Sequence, residues 1–442
     1  MSKIEYSRRR KKLMQEMSKN SIAIIPAAAM TIRNRDVEHP FRQDSDFYYL
    51  TGFNEPEALA IIASKHKMGE YSLFCRERDP AMETWTGARA GIEGARKTYG
   101  ANMAYPYSEI DTQLPKLLEG CQRIYYSLGN HRDFDYRIPH WLKQLRDKSR
   151  AGTERPTELF ELDQLVHEMR LFKTPKEIKT MRQAANISAQ SHIKAMQMCN
   201  PGMYEYEIAA EIHRNFEHNG CDTAYGSIVG GGANGCVLHY IENNKPLKDG
   251  ELLLIDAGAE KEYYASDITR TFPINGKFSA AQKVVYNIVL AAQEAAINAV
   301  KPGNHWNQPH EAAVKVITRG LVKIGLLKGN VAKLIKDGAY RRFYMHRTGH
   351  WLGMDVHDVG DYKQKGNWRK FKPGMVLTVE PGIYIPAGSK GVAKKWWNIG
   401  IRIEDDVVVT TKGCDVLSKD APKTVAEIEQ ICSERTRLKV KG

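Results

Sequence analysis

Three histidines lie in one short segment of the chain, His346, His350 and His357, and Gly349 and Gly353 interrupt that segment. Histidine is the commonest metal ligand and the side chain that titrates nearest neutral pH, so a cluster flanked by turn-forming glycines suggests a metal or proton-transfer site. Histidines alone do not define such a site. It also needs carboxylates, which the rest of the chain must supply.

Four acidic residues each lie within or at the end of an apolar segment that is predicted to be a strand. They are Asp256, Asp267, Glu380 and Glu404. An acid in such a position is costly to bury unless it is paired or binds a metal. Four carboxylates at close range would raise one another's pKa, and divalent cations would keep them ionised. With His350 they form a mainly oxygen ligand set, which suits two ions of the Mn²⁺ type that share bridging carboxylates.

Each of these residues also has a simpler explanation when it is taken alone. Asp267 could form an ion pair with Arg270, and the acidic run 404–406 could be a solvated strand end. Single histidines are more often surface or core residues than catalytic groups. Strand side chains alternate between two faces, so Arg402 is predicted to lie beside Glu404.

The elements that hold these residues are predicted to occur twice. Thr174 with Glu177, and Ser279 with Gln282, form capping boxes that begin two long helices. In both cases Pro-Gly, a second helix and apolar strands with two acids follow. This order predicts an internal duplication, and a chance similarity of two helix pairs is the alternative.

The earlier part of the chain is predicted to be an α/β domain with a mixed sheet. Residues 7–13 are predicted to form the basic face of a first helix over residues 4–18. Short apolar segments of strand type follow, alternating with helical stretches, at residues 21–26, 46–53, 58–63, 71–75 and 123–127. This part contains neither GxGxxG nor a P-loop, which argues against nucleotide binding there.

The complete chain is therefore predicted to comprise an N-terminal domain at residues 1–172 and a second domain at residues 173–442, which closes with a basic tail at residues 435–441. A length of 442 residues fits two domains.

Composition excludes several other classes of protein. The formal net charge is +13, but the basic residues are spread along the chain, and no nucleic-acid partner is predicted. Seven cysteines without a CxxC pair indicate a reducing compartment and argue against a disulfide scaffold or a thiolate zinc site. No apolar run approaches the roughly 18 residues of a membrane span. We therefore expect a cytoplasmic protein without a membrane partner.

Taken together, these motifs resemble those of the pita-bread metallopeptidases of family M24, and among them the bacterial aminopeptidase P family. The matching segments are residues 252–259, 265–273, 346–357, 378–384 and 400–405. Residues 41–56 resemble that family's N-terminal domain, so the resemblance covers essentially the whole chain.

The resemblance implies a dinuclear metal-dependent exopeptidase. Asp256 and Asp267 would bind one ion, His350 and Glu380 the other, and Asp267 and Glu404 would bridge the two. A hydroxide between the ions would attack the scissile carbonyl, with Glu380 as the proton shuttle. The expected ions are Mn²⁺, with Co²⁺ or Zn²⁺ as alternatives.

The resemblance also implies the substrates and the residues that hold them. The enzyme would release the N-terminal residue from peptides with proline in second position, as an Xaa-Pro aminopeptidase. His239 and His357 match histidines that face substrate, and His346 matches a further active-site histidine. Tyr384 and Arg402 match supporting positions, where Arg402 would orient Glu404 and hold the neighbouring carboxylates ionised.

The N-terminal domain would assemble a homodimer or homotetramer and restrict access to the active site. Trp85 matches a tryptophan near a neighbouring subunit's site, although a core or surface tryptophan is an equally good explanation.

Three other functions are open at this point. A prolidase, which cleaves only Xaa-Pro dipeptides, shares the fold. A non-catalytic pita-bread binding protein would suit the +13 charge, but such a protein is expected to have lost ligands, and none is missing here. A methionine aminopeptidase would need no N-terminal domain of this kind.

Overall fold

The structure, a computed structural model, describes residues 1–64, 66 and 69–434. The predicted basic tail lies outside the described residues. The chain divides into two compact units, Met1–Arg170 and Leu171–Gly442. The division falls at residue 170, whereas the capping pattern placed it at residue 172.

The first unit is built from helices and a mixed β-sheet. Its helices are α1 (Lys3–Glu16), α2 (Ser45–Thr51), α3 (Pro80–Thr86), α4 (Gly91–Lys97), α5 (Ile110–Leu118), α6 (Arg132–Asp147) and α7 (Asp163–Leu171), whose last residue belongs to the second unit. Its strands are β1 (Ser21–Pro26), β2 (Ile32–Asn34), β3 (Val37–Glu38), β4 (Leu59–Ala63), β5 (Tyr71–Cys75), β6 (Met103–Pro106), β7 (Arg123–Tyr125) and β8 (Glu158–Phe160).

The sheet has the strand order β6-β5-β4-β1-β7-β8. The pairs β1–β4 and β4–β5 are antiparallel, and the other pairs are parallel. Buried side chains of the sheet, such as Ile24 and Ile61, pack in one cluster with Leu114 of α5 and Trp141 of α6. The predicted mixed α/β arrangement of this part is confirmed.

The prediction of a strand at residues 46–53 is wrong, because this segment forms α2. Asp44 begins the helix by accepting a hydrogen bond from the amide of Phe47 at 2.8 Å. Gly52, with a φ of 67°, ends it in the left-handed conformation. Five of the seven residues of α2 are buried, so its apolar pattern does not distinguish a helix from a strand.

The predicted basic face of α1 is also wrong in part, because Arg9 and Arg10 are buried. Their guanidinium groups donate to the carbonyl oxygens of Tyr49 at 3.0 Å and Leu50 at 2.8 Å. Carbonyls in the last turn of a helix have no partner within it, so the two arginines complete the end of α2.

The second unit carries the helices α8 (Pro175–Met198), α9 (Glu205–His218), α10 (Ala280–Ala299), α11 (Gln308–Lys323), α12 (Val331–Lys336) and α13 (Val425–Ser433). Its strands are β9 (Asp222–Thr223), β10 (Ile228–Gly231), β11 (Leu252–Asp256), β12 (Ala259–Lys261), β13 (Tyr264–Ala265), β14 (Thr269–Pro273), β15 (Lys363–Gln364), β16 (Asn367–Trp368), β17 (Val376–Val379), β18 (Gly382–Ile385), β19 (Ile399–Arg402), β20 (Asp405–Val409) and β21 (Cys414–Val416). The capping boxes predicted for α8 and α10 are both formed.

A helix pair followed by an antiparallel strand pair occurs twice in this unit. In the first half β11 pairs with β14, with Asp256 opposite Thr269, and in the second half β17 pairs with β20, with Val379 opposite Asp405. Each half therefore places one acid at the end of the first strand and another just before the second strand.

The two halves are joined at these strand ends. The amide of Glu404 donates to the carbonyl oxygen of Thr269 at 3.1 Å, and the hydroxyl of Thr271 donates to the carbonyl oxygen of Arg402 at 3.0 Å. The repeated elements consequently bring both pairs of acids to one place.

Asp267 and Glu404 lie outside regular strands, which corrects their predicted positions. Asp267 lies between β13 and β14, and Glu404 lies between β19 and β20. A bend at the end of a strand frees a side chain from strict alternation, so carboxylates from different strands can point at one centre.

Within the described part of the chain, no helix has the length and apolar character needed to cross a bilayer.

Candidate metal centre and active site

The two acids of the first half converge on the hydroxyl of Tyr225. This oxygen lies 2.5 Å from Oδ1 of Asp256 and 2.6 Å from Oδ1 of Asp267. Gly258 allows the backbone after Asp256 to pass close to the backbone before Asp267, because a Cβ at Gly258 would lie 1.7 Å from the carbonyl oxygen of Ser266. Asp256 and Asp267 are both buried.

His350 reaches these acids because its segment runs antiparallel beside β17. The amide of Thr378 donates to the carbonyl oxygen of His350 at 3.0 Å, and the amide of Glu380 donates to that of Thr348 at 2.9 Å. Gly349 is required here, since a Cβ would lie 2.1 Å from the carbonyl oxygen of Thr378. This pairing places His350 and Glu380 on the same side of the centre.

The imidazole of His350 has a defined orientation. Its Nδ1 donates to the carbonyl oxygen of Trp351 at 2.9 Å. Its Nε2 therefore points to the acids, 3.3 Å from Oδ2 of Asp267 and 3.8 Å from Oε1 of Glu380. An outer hydrogen bond of this kind selects the ring nitrogen that can bind a metal.

The carboxylates are crowded enough to disturb one another. Burial, and then the charges of Asp267 and Glu380, raise the pKa of Glu404 well above its ordinary value. Burial raises the pKa of Glu380 to about 7, against the opposing charges of His350 and Arg402. Burial lowers the pKa of His350, but the hydrogen bond and charge of Asp267 outweigh it and raise that pKa to about 9.

These residues fit divalent metal ions. Asp267, His350 and Glu404 each offer a ligand atom within 4.8 Å of the others. Because the pKa values of Glu380 and Glu404 are raised, these acids tend to stay protonated unless nearby cations neutralise their charge. Oxygen ligands with one imidazole suit Mn²⁺ and similar ions, so the donor set and the electrostatics agree.

Arg402 does not contact Glu404 directly, which corrects the prediction that these two side chains lie beside each other. Its Nη2 donates to Oδ2 of Asp256 at 2.6 Å, and its Nε donates to the hydroxyl of Thr269 at 3.0 Å. That hydroxyl in turn donates to Oε2 of Glu404 at 2.6 Å. The arginine therefore reaches Glu404 only through Thr269.

Tyr384 connects Arg402 with His346. The tyrosine oxygen accepts from Nη1 of Arg402 at 3.0 Å and lies 2.9 Å from Nε2 of His346, to which it donates its proton. Nδ1 of His346 then donates to the carbonyl oxygen of Arg347 at 2.7 Å and lies 3.5 Å from Oε2 of Glu380. Burial, followed by the charge of Arg402, lowers the pKa of His346 to about 3, so this imidazole is neutral.

The three predicted non-ligand histidines line one open cleft above the acids. The cleft has a volume of about 420 Å³, and His239, His346 and His357 all contribute to its wall. The ring of His357 lies 4.3 Å from that of His350, centroid to centroid. Ile241 and Val356 add apolar surface beside these polar groups.

The two simpler explanations for the acids are wrong. Arg270 is fully buried and pairs with Asp405 at 2.7 Å, not with Asp267. Asp405 and Asp406 are buried as well, so the acidic run is no solvated strand end. The carboxylate of Asp406 accepts from the amide of Asp267 at 3.1 Å, which places it directly behind the centre.

Sequence reasoning missed Tyr225, Thr269 and Asp406. Tyr225 lies between β9 and β10, 31 residues before Asp256, and nothing in its local sequence marks it. Asp406 was noted only as part of an acidic run. The hydroxyl of Thr269 was detectable in principle, because it stands two residues after Asp267 in the motif.

Trp85 lies in the first unit, at the end of α3, and 84% of its surface is exposed. It is therefore not a core tryptophan of that unit.

Comparisons with known proteins agree with this geometry. The sequence model of metallopeptidase family M24 matches residues 179–411, and that of the aminopeptidase P N-terminal domain matches residues 6–125. The chain is 45% identical to an Xaa-Pro aminopeptidase from Escherichia coli (strain K12), over 98% of both chains.

Solved structures give the same result. The chain superposes on Pseudomonas aeruginosa aminopeptidase PepP with a TM-score of 0.97 and 57% identity, over 98% of both chains. It superposes on zinc-substituted E. coli aminopeptidase P in complex with product with a TM-score of 0.96 and 44% identity, over 99% of this chain and 100% of the other. The predicted fold class and the predicted family resemblance are confirmed.

Proposed function

This chain belongs to metallopeptidase family M24, and we propose that it releases the N-terminal residue from peptides whose second residue is proline. One observation carries the proposal: three buried acids, the half-buried Glu380 and His350 converge below an open cleft that is lined by three further histidines. The relative from E. coli, similar over its whole length, is an Xaa-Pro aminopeptidase.

In this proposal Asp256 and Asp267 would hold one ion, His350 and Glu380 would hold the other, and Asp267 and Glu404 would bridge them. The ions would be two Mn²⁺, because the ligands are mainly carboxylate oxygens. Bound divalent cations supply a water molecule of lowered pKa and stabilise negative charge on the scissile carbonyl oxygen.

Glu380 is the proton shuttle of the proposed reaction. A carboxylate beside the attacking water can take its proton and pass it on to the leaving group. The acceptor is the proline nitrogen of the leaving fragment, which needs a proton when the amide bond breaks.

The remaining histidines hold the peptide. His239 and His357 are exposed to the cleft and present ring nitrogens to the carbonyl groups of a bound substrate. The carbonyl oxygen becomes negatively charged in the transition state, so a hydrogen-bond donor at that point lowers the barrier.

Selection for proline follows from the chemistry of its amide. Proline has no amide N–H and a fixed φ, so a site that offers apolar surface and demands no N–H donor favours it. Ile241 and Val356 offer such surface beside His239 and His357.

The decisive experiment compares peptides of different length. After chelation and re-addition of Mn²⁺, Co²⁺ or Zn²⁺, the protein is expected to release the first residue of Xaa-Pro-Yaa peptides in preference to splitting Xaa-Pro dipeptides. Preference for dipeptides would instead indicate a prolidase. Salt-sensitive nucleic-acid binding without metal-dependent hydrolysis would indicate a non-catalytic binding protein.

We further propose that the N-terminal unit, residues 1–172, assembles a homodimer or homotetramer and restricts access to the catalytic unit, residues 173–442. The exposed indole of Trp85 supports an interface at α3, since large aromatic side chains are favoured at such contacts. Trp85→Ala should reduce the particle mass in sedimentation, whereas replacement of the exposed Tyr136 on α6 should not.

The cytoplasm is the proposed location. The seven cysteines form no disulfide among the described residues, which agrees with a reducing compartment.

A further inference from the structure

One cationic side chain of the cleft has no part in the proposed reaction. Arg347 follows His346 directly, is exposed, and lines the same cleft as His239 and His357. The other arginine of the cleft wall, Arg402, is buried and forms an ion pair with Asp256. Arg347 is therefore the arginine that a bound peptide can reach.

Two neutral groups hold the guanidinium of Arg347. Its Nη2 donates to Oδ1 of Asn307, at the start of α11, and its Cζ lies 5.3 Å from the centre of the Trp368 ring. An amide and an aromatic face restrain a guanidinium and leave its charge in place. The side chain is thus oriented in advance at a solvent-facing wall.

No carboxylate compensates this charge within the part of the chain that the structure describes. All of the guanidinium–carboxylate pairs found within 4.0 Å among those residues involve other arginines. Asn307 does donate through Nδ2 to Glu311 at 2.5 Å, but its amide stands between the two charges. A carboxylate from outside the chain can therefore pair with Arg347 without displacing one of its own.

Peptide substrates carry such a carboxylate at a defined distance from the reacting bond. In Xaa-Pro-Yaa two residues separate the scissile carbonyl from the C-terminal carboxylate, a span of at most roughly 7 Å in an extended chain. That span fits within a cleft of about 420 Å³ whose wall includes both Glu380 and Arg347. In longer peptides the terminal carboxylate lies farther out.

We infer that Arg347 binds the C-terminal carboxylate of Xaa-Pro-Yaa substrates through its guanidinium, so that tripeptides with a free C-terminus are the preferred substrate class. The inference rests on the proposed Xaa-Pro aminopeptidase function. It adds that the enzyme selects its peptide substrates by their length and by the charge of their C-terminus. Guanidinium and carboxylate are complementary in charge and in planar geometry, and the pair discriminates strongly against a neutral amide.

The test compares Xaa-Pro-Yaa with its C-terminal amide, using the Mn²⁺-loaded full chain. The kcat/KM of the wild type is expected to favour the free acid by roughly threefold to tenfold, as for other solvent-accessible charge pairs. Arg347→Ala should bring this ratio close to one, and Arg347→Lys should retain part of it. Added salt should lower the wild-type ratio, because an exposed ion pair is screened.

Arg342 provides the matched control. It is also exposed, stacks on an aromatic ring at 5.0 Å (Phe343) and donates to a backbone carbonyl, but it is not among the described residues that line the cleft. Arg342→Ala should leave the acid-to-amide ratio unchanged. Loss of the ratio in this variant would show a general effect of charge and would overturn the inference.

Further outcomes separate this inference from the proposed function. If the wild type cleaves both peptides and Arg347→Ala keeps the ratio, the inference is wrong and the aminopeptidase function stands. If an amidated peptide with aspartate in third position matches the free acid, Arg347 recognises a side-chain carboxylate instead, which also overturns the inference. If the metal-loaded wild type cleaves neither peptide, the proposed function fails and the inference fails with it.

Discussion

Nη2 of Arg402 donates to Oδ2 of Asp256 at 2.6 Å, so an arginine from the second half of the catalytic unit neutralises an acid of the first half. Burial alone would raise the pKa of Asp256, but the guanidinium of Arg402 and the hydroxyl of Tyr225 hold that pKa below its ordinary value. Asp256 is thereby kept ionised and ready to bind a cation.

Removing this guanidinium should weaken metal binding. Arg402→Ala is expected to lower Mn²⁺ affinity and activity by about 10- to 100-fold, because residues that orient metal ligands typically have effects of this size. Calorimetric titration of the metal-free protein measures the change. Arg182→Ala, which removes a half-exposed pair with Asp415, is the control, and an unchanged Mn²⁺ affinity in Arg402→Ala would contradict the role of Arg402.

Asp267→Asn should abolish activity and leave the fold intact. The neutral amide has the same shape but cannot bridge two cations. Burial and the charge of Asp256 raise the pKa of Asp267, so its ionised form costs stability above its unfolded pKa. The metal-free variant should therefore be at least as stable as the wild type at neutral pH.

Thermal unfolding without metal and peptidase assays with metal check both parts of this expectation. The exposed Asp222→Asn in the same half is the control, since Asp222 lies at the surface. Full activity in Asp267→Asn would rule out the bridging assignment.

Metal affinity should rise with pH between about 6 and 9. In the metal-free protein the pKa of Glu380 is about 7 and that of His350 about 9, so protons occupy both groups at the lower end of this range. A cation must displace these protons, and raising the pH removes the competitors. Titrations in buffers of different ionisation enthalpy should detect proton release, and a pH-independent affinity would exclude this competition.

A buried ion pair holds the loop that carries His357. Nζ of Lys173 lies 2.7 Å from Oδ2 of Asp358, and both side chains are 1% exposed. Gly353 makes room for them, because a Cβ there would lie 2.1 Å from that same oxygen. The loop conformation between His350 and His357 therefore depends on this pair.

Lys173→Met should destabilise the chain by roughly 3 to 5 kcal/mol, since it removes one partner of a buried ion pair. The double variant Lys173→Met with Asp358→Leu should recover most of this loss, because both charges of the pair are then replaced by apolar side chains. Urea unfolding measures both. A double variant as unstable as the single one would show that the shape of the lysine side chain, not the charge of Asp358, sets the cost.

Short sequence patterns correctly predicted where helices begin, because helix capping depends on residues close together in the chain. The capping boxes at Thr174 and Ser279 begin helices as expected, because a cap involves only neighbouring residues. The same reasoning failed at residues 46–53, where a short apolar run fits a helix and a strand equally well and the helix is settled by Asp44 and Gly52.

The candidate site was predictable to the extent that acids beside apolar strands stand out. Tyr225 and Arg402 show the limit of this reasoning. Tyr225 contacts Asp267 across 42 residues, and Arg402 contacts Asp256 across 146 residues. Such contacts depend on which strands pair and in which register, and no short segment encodes that choice.

The sequence by itself determined which residue types stand at the strand ends and where the helices begin, because burial of an apolar run and capping of a helix are local matters. The tertiary structure alone decided that Arg402 pairs with Asp256 and not with Glu404, that Thr269 mediates between Arg402 and Glu404, and that Arg347 faces the cleft. The physical reason is that the two halves meet at the ends of β14 and β19, and this junction places Arg402 and Glu404 beside Thr269 and Asp256.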